Sequence, residues 1–333
     1  MRATTIHAPG DIRFEDVPDP RIEEPTDAII KVVAGCVCGS DLWPYRGENP
    51  IKAGTTIGHE CVGVVEEVGS AVSTTRVGDF VIVPFCHCDN TCAHCRAGMQ
   101  SACVNLGVTQ SGQGEYARVT QADGSLLATD GMPDEALIPS LLALTDVMAT
   151  GWHAAVAAGV KPGDTAVAVG LSGVLAAAQM GAERVVAMSR HAPRQEIARA
   201  FGATHVVAER GAEGEARIAD LTDGVGADAV LECVGTDAAI RTAFAVARPG
   251  STVGFVGVPH GVELPVRRMF QKNVGLAGGM APVRRYVPDL LDRVLSGAID
   301  PGKVFDLTLP MAESAEAYRA MDERRAIKVL LQP

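Results

Sequence analysis

The chain has no run that approaches the roughly 20 uninterrupted apolar residues needed to cross a bilayer as a helix, although 47% of its 333 residues are apolar. Its first residues, Met1-Arg2-Ala3-Thr4-Thr5-Ile6-His7, lack the apolar core of a secretory leader. An excess of positive charge is missing too. Lys and Arg total 29 against 40 Asp and Glu, a net charge of −11, so there is no electrostatic footprint for a nucleic acid. Internal repeats and low-complexity linkers are also absent. Charged residues make up 21%, close to the globular average, which excludes disorder, collagen and coiled coil. A cytoplasmic, globular chain of about two domains is the expectation, with neither nucleic acid nor membrane as partner.

Cysteine is what the sequence has in unusual arrangement. Of nine cysteines, Cys86, Cys88, Cys92, Cys95 and Cys103 share one short segment, with Cys36, Cys38 and Cys61 upstream and Cys233 alone. Disulfide frameworks belong to short secreted chains that cannot build a core, and this chain is long enough to bury one unaided. Clustered thiols in such a chain point to metal. Asp89-x-x-Cys92-x-x-Cys95-x7-Cys103 offers four ligands with no open position, the pattern of a structural zinc. Cys88, His87 and His94 compete with Asp89 for the first of the four places.

The texture changes along the chain. β-branched runs at 29–33, 61–68 and 79–83, broken by Gly and Pro, predict a mostly antiparallel β domain. From about residue 148, short apolar strands at 165–169, 184–188, 205–207, 229–233 and 252–256 alternate with Ala-rich helices at 172–180, 194–201 and 237–247. That alternation predicts right-handed crossovers and a doubly wound parallel sheet. A tail helix at 286–295 and a strand at 326–331 return to the first domain. The expected division is 1–148 with 284–333, and 149–283.

Three separated pieces carry a second set of ligands: Gly35-Cys36-Val37-Cys38-Gly39-Ser40-Asp41, Gly58-His59-Glu60 and Thr145-Asp146. Cys38, His59 and Asp146 would give three protein ligands and leave one exchangeable position, as a catalytic zinc requires. The order of these motifs, then the cysteine cluster, then a βαβ domain, resembles the zinc-dependent medium-chain alcohol dehydrogenases over essentially the whole chain, in their secondary-alcohol branch. The resemblance implies a GroES-like catalytic domain beside a Rossmann domain, two zinc ions per chain, and hydride exchange between a small alcohol or carbonyl and a nicotinamide cofactor. It makes Cys38, His59 and Asp146 the catalytic zinc ligands, with Glu60 a neighbour that approaches the metal when the open position is vacated. Asp41 supports the histidine and Ser40 hydrogen-bonds the substrate oxygen. Asp89, Cys92, Cys95 and Cys103 match the structural site, with Asp89 standing where most members have cysteine. Trp43 occupies the place of a relay histidine, and its indole donates one hydrogen bond but accepts none. A homodimer or homotetramer is implied as well, and the apolar stretch 262–281 is a candidate interface.

The cofactor fingerprint is where this chain departs. After the strand at 165–169 the family carries G-x-G-x-x-G, whose glycines permit a tight turn and aim a helix N-terminus at pyrophosphate. This chain reads Val169-Gly170-Leu171-Ser172-Gly173-Val174. One G-x-x-G remains, and the turn is shorter by about five residues than the full fingerprint. Either this compact turn still binds a dinucleotide, or the chain is a cofactor-deficient zinc-binding relative without redox activity. The second strand ends in Ser189-Arg190 instead of the carboxylate that holds the ribose of NAD. An arginine fork suits a 2′-phosphate, so NADP(H) is expected in preference to NAD(H). The resemblance adds Thr150 behind the nicotinamide, Val234, Gly257 and Val258 along its pocket, and Lys328 near the pyrophosphate.

Overall fold

A computed structural model describes residues 1–333, the side chain of Ser172 excepted. The chain forms two units, 1–146 with 282–333, and 147–281, so each boundary lies two residues before its expected place.

The first unit is built on a seven-stranded sheet. Its spatial order is Leu127–Ala128, Phe80–Val83, Cys61–Val68, Ala28–Cys36, Val329–Gln332 and Leu307–Pro310, with Tyr116–Val119 also pairing with Ala28–Cys36. All its pairings are antiparallel except that between the last two strands of the order. The strand Ala28–Cys36 is the hub, and its apolar residues Ile30 and Val32 enter a core with Val65, Tyr318 and Val329. Period-two alternation gives way here to near-continuous burial, because other elements cover both faces. The last strand starts at Val329, three residues later than its sequence pattern suggests. Asp306 takes the backbone N–H groups of Ile327 and Lys328, so the ladder begins only beyond them.

The second unit is a parallel six-stranded sheet ordered His205–Val207, Arg184–Met188, Thr165–Val169, Ala227–Glu232, Ala247–Phe255 and Gly275–Gly278. The strand order reverses between Thr165–Val169 and Ala227–Glu232, which creates the topological switch point of a Rossmann fold. The strand Ala247–Phe255 is longer than its apolar run: it takes in Arg248, Pro249 and Gly250, residues that read as a turn. Among the described residues, no single helix is long and apolar enough to cross a membrane.

Candidate metal centres and nucleotide edge

The end of the strand Ala28–Cys36 delivers Cys38, and the start of Cys61–Val68 delivers His59 and Glu60. Gly35 is paired with Cys61 in the ladder, so the two segments leave the sheet side by side. Asp146 arrives from far along the chain, just past the buried helix Ile138–Ala143. The result is one buried group in which Cys38, His59, Glu60 and Asp146 each bring a ligand atom within 4.8 Å of the others. The Cys38 thiol donates to Asp146 Oδ2 at 3.6 Å, and His59 Nε2 is 3.3 Å from the same oxygen. On its other side His59 Nδ1 is 3.2 Å from Asp41 Oδ1. Burial alone would lower the His59 pKa, yet the Asp41 carboxylate, Cys38 and Asp146 together raise it well above the usual imidazole range. Burial pushes the Cys38 thiol up. Negative and soft donors are thus concentrated around one point with Glu60 Oε2 buried and without a hydrogen-bond partner. A divalent cation offsets such a concentration, and thiolate, imidazole and carboxylate are the donors zinc takes. The residues fit the metal.

Lys328, which the resemblance sets near the pyrophosphate, is tied to Glu60. Its ammonium is 5% exposed, 2.6 Å from Glu60 Oε1 and donating to the Val37 carbonyl at 3.2 Å. A buried ammonium needs such partners to offset the loss of water, and Val37 and Glu60 supply them. Ser40 is half-buried in the short turn Gly39–Asp41. Trp43 is also half-buried, with the Arg46 guanidinium 5.8 Å from its ring centre.

A second group gathers Asp89, Cys92, Cys95 and Cys103, again with ligand atoms mutually within 4.8 Å. One loop supplies all four. Asp89 Oδ1 accepts from the N–H groups of Thr91 and Cys92, both at 2.8 Å, while Asn105 donates to Oδ2 at 2.9 Å. These bonds hold the Asp89 carboxyl well below the usual carboxylate range. The Cys92 thiol is lowered to about 7, chiefly by the Cys95 N–H, which suits a group that binds metal as thiolate. The other candidates for the fourth place lie outside the group. Cys88 Sγ donates to the Gly124 carbonyl, His87 is held between Thr109 and Thr120, and His94 Nδ1 meets the Ala102 carbonyl.

The nucleotide residues named from the sequence converge on the carboxyl edge of the parallel sheet. Gly170 follows Val169, Ser189 and Arg190 follow Met188, Val234 lies two residues past Glu232, and Gly257 and Val258 follow the strand ending at Phe255. Open α/β sheets bind ligands at this edge. Gly170 has φ of +124°, and a Cβ there would sit 2.8 Å from Cys233 Cβ; one on Gly173 would be 2.9 Å from Leu231 Cδ2. These two glycines therefore still perform the tight turn and the close helix–strand approach of the fingerprint. The following helix, Ser172–Gln179, is only eight residues long, and its N-cap residue Leu171 gives no side-chain cap. Val234 and Val258 are 41% and 49% exposed, as apolar walls of a ligand site would be, and Arg190 is exposed. Thr150 is half-buried on the helix Val147–Ala158.

Glu232 and Gln113 went unnoticed in the sequence. Glu232 is fully buried, and its Oε1 accepts from the N–H groups of Val234 and Gly235 at 2.8 Å each, which fixes the turn carrying Val234. Gln113, also fully buried, donates to Asp41 Oδ2. Neither stands in a spacing pattern that marks it.

The chain matches the alcohol dehydrogenase GroES-like domain over 24–130 and the zinc-binding dehydrogenase domain over 168–296. It is 33% identical to zinc-type alcohol dehydrogenase B of Aspergillus flavus, over 100% of this chain and 81% of that protein. It is 34% identical to a probable zinc-binding alcohol dehydrogenase of Mycobacterium tuberculosis, over 96% and 84% of the two chains. Among solved structures, the alcohol dehydrogenase of Thermus sp. ATN1 superposes with a TM-score of 0.90 at 30% identity, covering 100% of this chain and 99% of that one. With the ligand geometry and the Rossmann edge these likenesses lead to one conclusion: the chain belongs to the zinc-dependent medium-chain alcohol dehydrogenase family and is an alcohol oxidoreductase of that family.

Proposed function

We propose that the enzyme exchanges a hydride between a small alcohol, aldehyde or ketone and NADP(H), as a cytoplasmic homodimer or homotetramer holding two zinc ions per chain. When bound, the catalytic zinc supplies a Lewis acid for the substrate oxygen and the nicotinamide supplies the hydride donor or acceptor. Cys38, His59 and Asp146 hold that zinc, and Glu60, tethered by Lys328, stands beside it. Ser40 Oγ accepts the hydrogen bond of the substrate hydroxyl and starts its proton toward solvent. Trp43 has no acceptor with which to continue that path, so the proton leaves by another route. Asp89, Cys92, Cys95 and Cys103 hold the second zinc, whose closed ligand set gives it a structural role. The observation that carries this reading is the buried convergence of Cys38, His59, Glu60 and Asp146 within 4.8 Å.

Ser189 and Arg190 favour the 2′-phosphate of NADP(H), since no carboxylate follows Met188 to hold a ribose 2′-hydroxyl. Titrating the purified protein with NADPH and NADH, followed by fluorescence or heat, is expected to give tighter binding of NADPH, and metal analysis about two zinc per chain. Arg190→Asp is expected to narrow or reverse the preference. A second reading keeps the metal sites without redox, and the eight-residue helix after a single G-x-x-G favours it. Each charge-assisted bond to phosphate is worth about 1.5–3 kcal/mol, so loss of two weakens binding roughly 10²- to 10⁴-fold. No binding of either cofactor at millimolar concentration would sink the redox reading and leave the second.

A further inference from the structure

We propose that Gln113 is a positioning residue for the zinc ligand His59, acting through Asp41, with Tyr318 donating to its amide oxygen. Gln113 and Tyr318 are both fully buried. The Gln113 side-chain amide donates one N–H to the Cys36 carbonyl at 3.0 Å and the other to Asp41 Oδ2 at 3.2 Å. Those two acceptors settle which end of the amide faces Asp41, and its Oε1 takes the hydroxyl of Tyr318 at 3.2 Å. Asp41 Oδ2 also accepts the Cys38 N–H at 2.9 Å. The remaining oxygen of Asp41 faces His59 Nδ1. A carboxylate can only accept, so His59 Nδ1 donates to Asp41, and Nε2, on the side of Cys38 and Asp146, is the nitrogen left for a metal. The path from Tyr318 to the histidine is continuous, and it is buried as far as Asp41.

The chain gives up conformational freedom to seat this amide. Gly58, immediately before His59, has φ of +92°, and a Cβ there would lie 2.3 Å from Gln113 Cγ. The Gly112 N–H donates to the Gly58 carbonyl at 2.9 Å. The histidine segment and the Gln113 segment are thus clamped backbone to backbone, and the glycine of Gly58-His59-Glu60 exists to admit the glutamine.

The inference rests on the reading of this group as a zinc site. In Gln113→Leu, Asp41 Oδ2 loses a donor in a buried setting and Asp41 no longer has one orientation. Outer partners of metal-bound histidines typically govern 10–100-fold in affinity. Competition with a chromophoric chelator on the full zinc-loaded chain is expected to show the ion at Cys38, His59 and Asp146 weakened about 10–100-fold, with the ion of the cysteine loop unchanged. A role in packing alone would lower melting temperature without favouring one ion over the other. Gln113→Glu, which sets a second carboxylate against Asp41, is expected to weaken the ion at least as much, and Tyr318→Phe by less. Long-range nitrogen–proton NMR of His59 is expected to show the proton leaving Nδ1 for part of the population in Gln113→Leu. Parental affinity in Gln113→Leu, or in Gln113→Glu where the leucine variant does not fold, overturns the proposal. A parent chain that holds no ion at this group overturns the metal reading itself, and the measurement on the parent separates the two failures.

Discussion

Eleven residues separate Cys92 from Cys103, whereas 108 separate Cys38 from Asp146. In the first case a single loop closes on its own ligands and its buried members are other thiols: Cys88, Cys95 and Cys103 pack as a small cluster with Cys92 against them. In the second, the ends of two paired strands and the chain beyond the helix Ile138–Ala143 meet because the sheet brings them there. Gly35 opposite Cys61 in the ladder sets the spacing of Cys38 and His59 before any ion is present. A loop with so little apolar support depends on its ion for shape, whereas a site positioned by strands does not. The same kind of ion should therefore support folding in one place and chemistry in the other.

Asp146→Ala presses hardest on that contrast. It deletes one of three ligands around the open position, and Lewis-acid assistance worth several kcal/mol goes with it, so kcat/KM is expected to fall about 10³- to 10⁴-fold. In metal-free protein, where linkage to the ion is gone, loss of the contact with His59 is offset by relief of repulsion with Glu60, so the melting temperature is expected to stay near that of the parent. Steady-state kinetics beside calorimetry checks both halves. A large loss of stability with Asp146→Ala would mean that the dispersed site also holds up the fold, and the contrast would fail.

Cys95→Ser is the converse experiment. With free zinc at about a hundredfold excess over its Kd, loss of a bound ion removes about 3 kcal/mol, which lowers the transition of a unit this size by roughly 6–12 °C. The drop is expected in calorimetry with zinc present and to shrink once both proteins are stripped by chelator, while turnover below the transition stays within a fewfold of the parent. An unchanged transition in zinc would show that this loop stands without an ion.

The same contrast explains what could be read from the sequence. Cys92, Cys95 and Cys103 announce themselves because their spacing is their geometry. Cys38, His59 and Asp146 have no such spacing, and only their order beside Gly-Cys-x-Cys-Gly-Ser-Asp and Gly-His-Glu singles them out. Gln113 and Tyr318 lie beyond both kinds of reading: 205 residues separate the partners, and a buried glutamine between two glycines resembles any turn. Lys328 was legible as a basic residue in a telling place, but its partner Glu60, 268 residues away, was not. Five of the six parallel strands were evident from short apolar runs, whereas the glycine-bounded strand Gly275–Gly278 was not. Their ends were not, because Arg248, Pro249 and Gly250 extend a strand by pairing that no local propensity favours.

Asp89 tests the contrast at its finest point, since one carboxylate both shapes the loop and offers itself as fourth ligand. As the turn's acceptor, or cap, it takes the N–H groups of Thr91 and Cys92 through Oδ1, a function that asparagine retains and alanine loses at about 0.5–1.5 kcal/mol per bond. As a ligand it contributes charge, which both substitutions remove. In metal-free protein, therefore, Asp89→Asn is expected to melt with the parent and Asp89→Ala about 1–3 kcal/mol below it. With zinc present, both are expected to fall, because asparagine offers zinc a much weaker donor than a carboxylate. Asp89→Asn melting with the parent in both states would leave Asp89 a cap alone, and the fourth position would pass to the neighbouring thiol of Cys88. That thiol is buried and held up to about 11, and it would have to abandon the Gly124 carbonyl and lose its proton to bind. Cys88→Ser on the Asp89→Asn background then separates the two ligands: a further loss of zinc affinity assigns the place to Cys88, and no change assigns it to water.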